Sequence, residues 1–271
     1  MPKIGITGWK GHVGQELLKF TDTTPLMCDV RFPDEIDLSV NKTRPDIIVH
    51  LASISDVDVC ENPANEKLVI DTNLRGTYNV AQVAEKYGCG VVLLSSAQVF
   101  DGIWGNYKEH NKPYPKNSYG RSKMGAEGLQ AAFTNLKIVR TSYLFDYKRL
   151  FPYIYELRHG KVSEQPMFLY RSFMHITHFA EAFHEYLKNF SDMPNILHIA
   201  GSSSVSWYTF IKELAYVYGL DANLVKARSY ELKENVAPRP YKAGLNVALS
   251  KRYSIPQFNY EDGLQEMKDL S

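Results

Sequence analysis

The stretch "TGWKGHVG" at residues 7–14 decides how this chain is read. It follows the apolar run "KIGIT" (3–7) and opens the helical pattern "GHVGQELLKF" (11–20). Gly8, Gly11 and Gly14 recur at every third position. Glycines at a strand–helix junction allow a tight turn. They also let backbone N–H groups approach a pyrophosphate at the positive end of the helix. A glycine triplet alone is often only a turn; the strand before it and the helix after it point to a dinucleotide site.

Working outward, the runs "PLMCDV" (25–30), "DIIVHLA" (46–52), "VVLLSS" (91–96) and "LKIVRTS" (136–142) read as further strands. Helical patterns lie between them: a short one containing Val40 and Lys42, a long one over 65–88, and one over 117–133 capped by Asn117 or Ser118. This alternation predicts an α/β fold, a Rossmann-like doubly wound parallel sheet with helices on both faces. Residues 1–145 form the expected dinucleotide-binding domain. Residues 146–271 are expected to form mainly a smaller substrate-binding subdomain, with parts, about 174–200, returning to the sheet. There a helix is expected over 177–189 and a strand at "NILHIAG" (195–201), with another helix over 206–218.

The bulk properties narrow the function. The 271 residues carry 31 basic and 30 acidic side chains, a balance without the electrostatic footprint that nucleic acid or an anionic membrane requires. Cys28, Cys60 and Cys89 include no CxxC, which argues against a disulfide framework and against a zinc site. No charged leader with a long apolar stretch opens the chain, and no apolar run approaches membrane-spanning length. The expected compartment is a reducing cytoplasm, with no metal.

About 20 residues past the glycine loop stands Asp29, expected to end the second strand and to hold the adenosine ribose. Arg31 and Lys10 are cations that could pair with a 2′-phosphate, so either NADP(H) or NAD(H) fits. Further along, "SYGRSK" (118–123) sets Tyr119 and Lys123 four apart, on one face of a helix. The chain repeats that spacing in Tyr208 and Lys212, so spacing alone does not identify a proton donor.

Several ordered motifs settle which pair matters. "TGWKGHVG", "RPDIIVHLASISDVDVCENP" (44–63), "NLRGTYNVAQVAEKYG" (73–88), "SSAQVFDG" (95–102), "NSYGRSKMGAE" (117–127), "SWYTFIKELA" (206–215) and "APRPYKAGLNVALSK" (237–251) together resemble the extended short-chain dehydrogenase/reductase superfamily. Within it the chain is most similar to the dTDP-4-dehydrorhamnose reductases. The resemblance implies Ser96, Tyr119 and Lys123 as catalytic residues, with Asn73 positioning the lysine through water. Tyr119 would give the proton, Ser96 would hydrogen-bond the substrate carbonyl, and Lys123 would hold the nicotinamide ribose and lower the phenol's pKa. Cofactor contacts are expected from Gly8, Lys10, Gly11, His12, Val13, Gly14, Asp29, Arg31, Asp37, Leu38, Leu51, Ala52 and Ser53, besides Tyr119 and Lys123. The substrate, a nucleotide sugar, would meet Ser96, Ala97, Gln98 and Tyr119, with Arg171 and Arg239 as candidates for its diphosphate. The expected assembly is a homodimer.

Ala97 and Gln98 depart from the family's STDYVFDG, which has an acidic residue and an aromatic there. Neither can exchange protons near neutral pH, which argues against sugar dehydration. The expected activity is NAD(P)H-dependent reduction of a 4-keto-6-deoxy nucleotide sugar. The alternatives are a nucleotide-sugar 4-epimerase, or a non-catalytic dinucleotide-binding subunit like the methionine adenosyltransferase β subunit.

Overall fold

A computed structural model describes residues 1–229 and 237–270. Its centre is a six-stranded parallel sheet. The strands are β1 (Ile4–Thr7), β2 (Thr23–Pro25), β3 (Ile47–His50), β4 (Gly90–Ser96) and β5 (Leu136–Thr141). After β5 come the short strands β6 (Tyr143–Phe145), β7 (Ser163–Pro166), β8 (Tyr170–Arg171) and β9 (Phe173–His175). The sixth sheet strand, β10 (Ile196–His198), then pairs with β5. The order β10-β5-β4-β3-β1-β2 reverses direction between β1 and β3, where open α/β sheets bind ligands at the strands' carboxyl ends.

Strands buried on both faces need apolar residues at every position. Ile47 and Val49 of β3 join one core cluster with Ile4, Ile6, Val92 and Val139, while Ile48 joins another with Val91 and Leu93. Fully burying each such side chain is worth roughly 1.5–3 kcal/mol, and a one-residue slip would swap the two faces. One face is covered by α1 (His12–Leu17) and by α8 (Ile176–Lys188), which supplies Phe179 and Phe183. The other is covered by α2 (Pro33–Thr43), α5 (Gly76–Tyr87) and α6 (Ser118–Gly128). Between α2 and α5 lie two short helices, α3 (Val57–Glu61) and α4 (Glu66–Val69).

A third core cluster belongs to the C-terminal part. It is built from α7 (Tyr147–Arg158), α9 (Trp207–Val217) and, after the five-residue α10 (Ala248–Arg252), α11 (Tyr260–Asp269). Phe210 stacks on Phe173 at 3.9 Å between ring centroids in that cluster. The strands β11 (Val205–Ser206) and β13 (Lys242–Ala243) flank β8, while β12 (Val225–Arg228) pairs with β7.

Two expectations need correction. The second strand lies at Thr23–Pro25, not 25–30. Leu26 still bonds β1 through its N–H and is buried, but Met27 is 67% exposed and Cys28 N–H turns back to Leu26 O at 3.1 Å. The apolar run is a buried anchor followed by a turn, so Asp29 stands in a loop. The helix expected over 65–88 is also not uniform. A wide π-type turn at Ile70–Arg75 separates α4 from α5. Such turns insert one residue into a helix and re-aim side chains; this one carries Asn73.

Candidate active site

One cavity of about 830 Å³ opens at the reversal of strand order. Its walls include all of the expected glycine-loop residues, Gly8, Lys10, Gly11, His12, Val13 and Gly14, and also Leu51, Ala52 and Ser53 after β3. Gly8 has φ +65°, and a β-carbon there would lie 2.5 Å from the Ala52 nitrogen. Only glycine lets the loop close on the end of β3. His12 Nδ1 meets the Asp146 carboxylate at 2.6 Å, tying the loop to the start of α7.

Ser96 and Tyr119 meet in the wall of this cavity. Ser96 ends β4, and its Oγ accepts the Gln98 backbone N–H at 3.2 Å, so its own proton is left to point elsewhere. Tyr119 lies in the first turn of α6, which Asn117 caps through the Gly120 N–H at 2.8 Å. At Gly120 a β-carbon would sit 2.2 Å from the Gln98 carbonyl oxygen. The helix can lie this close to the strand end only because that position has no side chain. The glycine is in the quoted motif, but its contact is with a residue 22 positions earlier and cannot be seen from spacing.

The electrostatics differ from expectation. Burial pushes the Tyr119 phenol up to about 12, and Ser96, close enough to hydrogen-bond the phenolate, offsets only part of that. Lys123 does not bring the phenol down. Its own ammonium is 2% exposed, and burial pulls it to about 8, with Glu127 one turn on opposing the shift. Glu127 is itself held by Arg140 (2.9 and 2.7 Å) and by Ser95 (2.5 Å), a buried pair that fixes α6 against β5. A phenol protonated throughout the neutral range suits a proton donor, not a base.

Asn73 reaches from the π-type turn in two directions. It binds both the N–H (2.8 Å) and the C=O (3.0 Å) of Ile54, and it donates to Ser122 Oγ at 2.9 Å. Among the described residues it makes no direct bond to Lys123. Beneath it, Thr77 Oγ1 donates to Asn73 O (2.7 Å) and so must accept from His50 Nε2 (3.1 Å). His50 Nδ1 then accepts from Thr7 (2.8 Å), whose oxygen receives the Ala52 N–H at 3.4 Å. The tautomer follows from these partners. Burial, with Lys123 adding to it, pushes His50 down to about 3, so it stays neutral.

The remaining expected residues divide. Gln98, Arg171 and Arg239 line the cavity. Arg171 Nη1 donates to three backbone carbonyls, of Tyr170, Pro240 and Tyr241, and Arg239 forms two 2.7 Å bonds with Asp58. Ala97 is buried behind the wall. Asp29, Arg31, Asp37 and Leu38 are not brought to the cavity. Arg31 clamps Asp29 through Nε and Nη2, holding that carboxyl below its ordinary range. Asp37 pairs with Lys86, and Leu38 is 71% exposed.

Sequence reasoning missed Arg149, Thr141, Tyr143 and Trp207, which all line the cavity. Thr141 stands beside Ser96 in the β4–β5 register, and its buried hydroxyl has no hydrogen-bond partner. A strand-end polar residue in "IVRTS" was the available signal. Among the described residues no carboxylate lines the cavity, while Lys10, Arg149, Arg171 and Arg239 do. A glycine loop, the orphaned Thr141 hydroxyl and cationic walls fit a nicotinamide dinucleotide and a second phosphorylated ligand. No group of three or more metal-ligating side chains occurs among the described residues, and no helix there is long and apolar enough to cross a membrane.

The chain is 25% identical to the spore coat polysaccharide biosynthesis protein SpsK of Bacillus subtilis, over 98% of this chain and 96% of that one. It is 27% identical to a dTDP-4-dehydrorhamnose reductase of Sinorhizobium fredii, over 84% and 81%. The structure of the Bacillus anthracis dTDP-4-dehydrorhamnose reductase in complex with NADP superposes with a TM-score of 0.90 at 24% identity, over 100% and 99% of the two chains. The family model described as the RmlD substrate binding domain matches residues 2–270. With the glycine loop, the parallel sheet and the Ser96–Tyr119 wall all inside that span, the chain belongs to the RmlD substrate binding domain family, within the extended short-chain dehydrogenase/reductase fold.

Proposed function

We propose that the protein is an NAD(P)H-dependent reductase of a 4-keto-6-deoxy nucleotide sugar, dTDP-4-dehydrorhamnose or a close relative. One observation carries this reading: Ser96 and Tyr119 meet in a cavity wall that contains no carboxylate among the described residues. Dehydration of a sugar needs an acid and a base beside the ring, whereas reduction of a ketone needs one proton donor and one hydrogen-bond donor at its oxygen. The dinucleotide, when bound in its reduced form, supplies the hydride to the keto carbon. Tyr119 gives its proton to the keto oxygen as the C=O becomes C–OH. Ser96 donates a hydrogen bond to that oxygen while its negative charge develops. Lys123 would hold the nicotinamide ribose, and the glycine loop the pyrophosphate. Arg171, Arg239 and Arg149 all line the cavity, which supports a role for them in holding the sugar's diphosphate.

Lys10 faces the cavity and Arg31 does not, so a 2′-phosphate would meet Lys10 first and both NADPH and NADH are accepted. On this reading residues 146–271 serve mainly the sugar. The three free cysteines suit a reducing cytoplasm. A homodimer rests on the family resemblance alone and is read by analytical ultracentrifugation.

The test is direct. Purified protein, NADPH and a dTDP-4-keto-6-deoxyhexose should consume reduced nicotinamide and yield a secondary alcohol visible by NMR. Firm NADPH binding without turnover of any such sugar would replace the reductase with a dinucleotide-binding regulatory subunit.

A further inference from the structure

Gln98 occupies the cavity wall two residues past Ser96, and its side-chain amide has a fixed orientation. Its neighbour Asn117 is fully buried. The Asn117 Oδ1 accepts the Gly120 backbone N–H at 2.8 Å, and its Nδ2 donates to the Pro238 carbonyl at 2.8 Å. A backbone N–H can only donate and a backbone C=O can only accept, so these two contacts assign the Asn117 amide without ambiguity. The second N–H of Nδ2 points at Gln98 at 3.0 Å, so the Gln98 atom there must be the acceptor, Oε1. Its Nε2 is therefore turned away from Asn117, with no hydrogen-bond partner among the described residues. The backbone of Gln98 is held as well, by the Ser96 hydroxyl at its N–H and by the close approach of Gly120 at its carbonyl.

We infer that Gln98 is a specificity-determining residue: its amide N–H groups are pre-set to donate to an acceptor oxygen on the sugar ring beside the keto carbon, and Asn117 is the positioning residue that sets them. This rests on the reductase reading and deepens it. A neutral double donor selects a ring bearing a hydroxyl or ring oxygen there and disfavours one bearing an ammonium, which could not accept. The donor comes already oriented, so little conformational freedom is lost on binding.

Two variants test this with NADPH and a dTDP-4-keto-6-deoxyhexose. Gln98→Glu keeps the shape and the contact to Asn117 but puts a carboxylate oxygen where the N–H was. KM for the sugar should rise roughly tenfold or more, with kcat falling less than KM rises, because a donor to a ligand acceptor is lost and two acceptors now face each other. Asn117→Asp leaves the cavity's own residues unchanged. When ionised, the new carboxylate can only accept, so the Gln98 amide turns to donate to it and shows its carbonyl to the cavity. The same KM rise is expected, whereas a merely structural role for Asn117 would lower thermal stability without moving KM. Should Asn117→Asp fail to fold, Gln98→Glu decides alone. Wild-type turnover with a Gln98→Glu KM within twofold of normal would overturn this inference and leave the reductase standing. A wild type that binds NADPH but reduces no 4-keto sugar overturns both.

Discussion

Two helices of this chain carry a tyrosine and a lysine four residues apart, and their surroundings have little in common. On α9 Lys212 Nζ donates to Tyr208 Oη at 3.4 Å, and the two half-buried side chains satisfy one another at the edge of the third core cluster. On α6 no bond joins Lys123 to Tyr119. Tyr119 faces the cavity beside Ser96, and Lys123 is buried with no hydrogen-bond or ion-pair partner among the described residues. Spacing sets two side chains on one face of a helix; only the packing around that face decides whether they finish each other or are left open to a third group. A buried ammonium without a partner is costly, which is why its pKa falls to about 8.

The two pairs differ most at their hydroxyl groups. On the proposed mechanism Tyr119→Phe removes the proton donor and leaves the ring, so reduction should fall by a factor on the order of 10² or more with NADPH affinity nearly intact. Tyr208→Phe should alter turnover less than twofold. Steady-state rates on one sugar substrate compare the two, and near-normal turnover in Tyr119→Phe would remove that residue from the chemistry.

The two lysines differ on a smaller scale. Lys123 loses its charge as pH rises through about 8, while Tyr119 keeps its proton to about 12. The alkaline limb of the rate profile should therefore fall near pH 8 and belong to the lysine. Lys123→Met should lose that limb and weaken NADPH binding roughly tenfold, the scale of a hydrogen bond to a charged group. Lys212→Met should keep the wild-type profile, and a limb that persists in Lys123→Met would reassign it.

A further effect concerns stability. His50 lies close enough to Lys123 for that charge to oppose its protonation, and burial holds its pKa near 3 against 6.5 unfolded. A histidine depressed in this way favours the fold while neutral. As pH falls below about 6.5 the unfolded chain takes up the proton first. Stability should then drain between about pH 6.5 and 3, at up to about 1.4 kcal/mol per pH unit for each such group. His198, also near 3, contributes in the same window. Denaturant midpoints from pH 7 to 4.5 should fall less steeply for His50→Gln than for the wild type. Equal slopes would exonerate His50.

The sheet could be read from the sequence because strands buried on both faces appear as unbroken apolar runs; "DIIVHLA" and "VVLLSS" have no other easy home. The second strand misled for the same reason. Leu26 is core, but the apolar Met27 beside it is not, and nothing in "PLMCDV" marks where the ladder stops. The glycine loop and the Ser96–Tyr119 wall were legible because each rests on local motifs. The rest depends on residues far apart in the chain. Asn117 is oriented by Pro238, 121 positions away, and that contact in turn aims Gln98. Arg31 looked available in the sequence because its clamp on Asp29 is a side-chain geometry, not a pattern.

Gly120 has a consequence for how the site can vary. Most active sites are tuned by exchanging one side chain for another, but here the spacer between the helix bearing Tyr119 and the Gln98 carbonyl, just past the strand that ends at Ser96, is a single hydrogen atom. An added methyl at 2.2 Å from a carbonyl oxygen would have to push the helix back by about an ångström, a misplacement that can cost on the order of a hundredfold in rate. On the proposed reading the cavity-lining Gln98, which departs from the family pattern, can vary and change which ring is accepted, whereas Ala97 lies buried behind it. The gap itself has no intermediate settings, so substrate range can diversify around a distance that cannot.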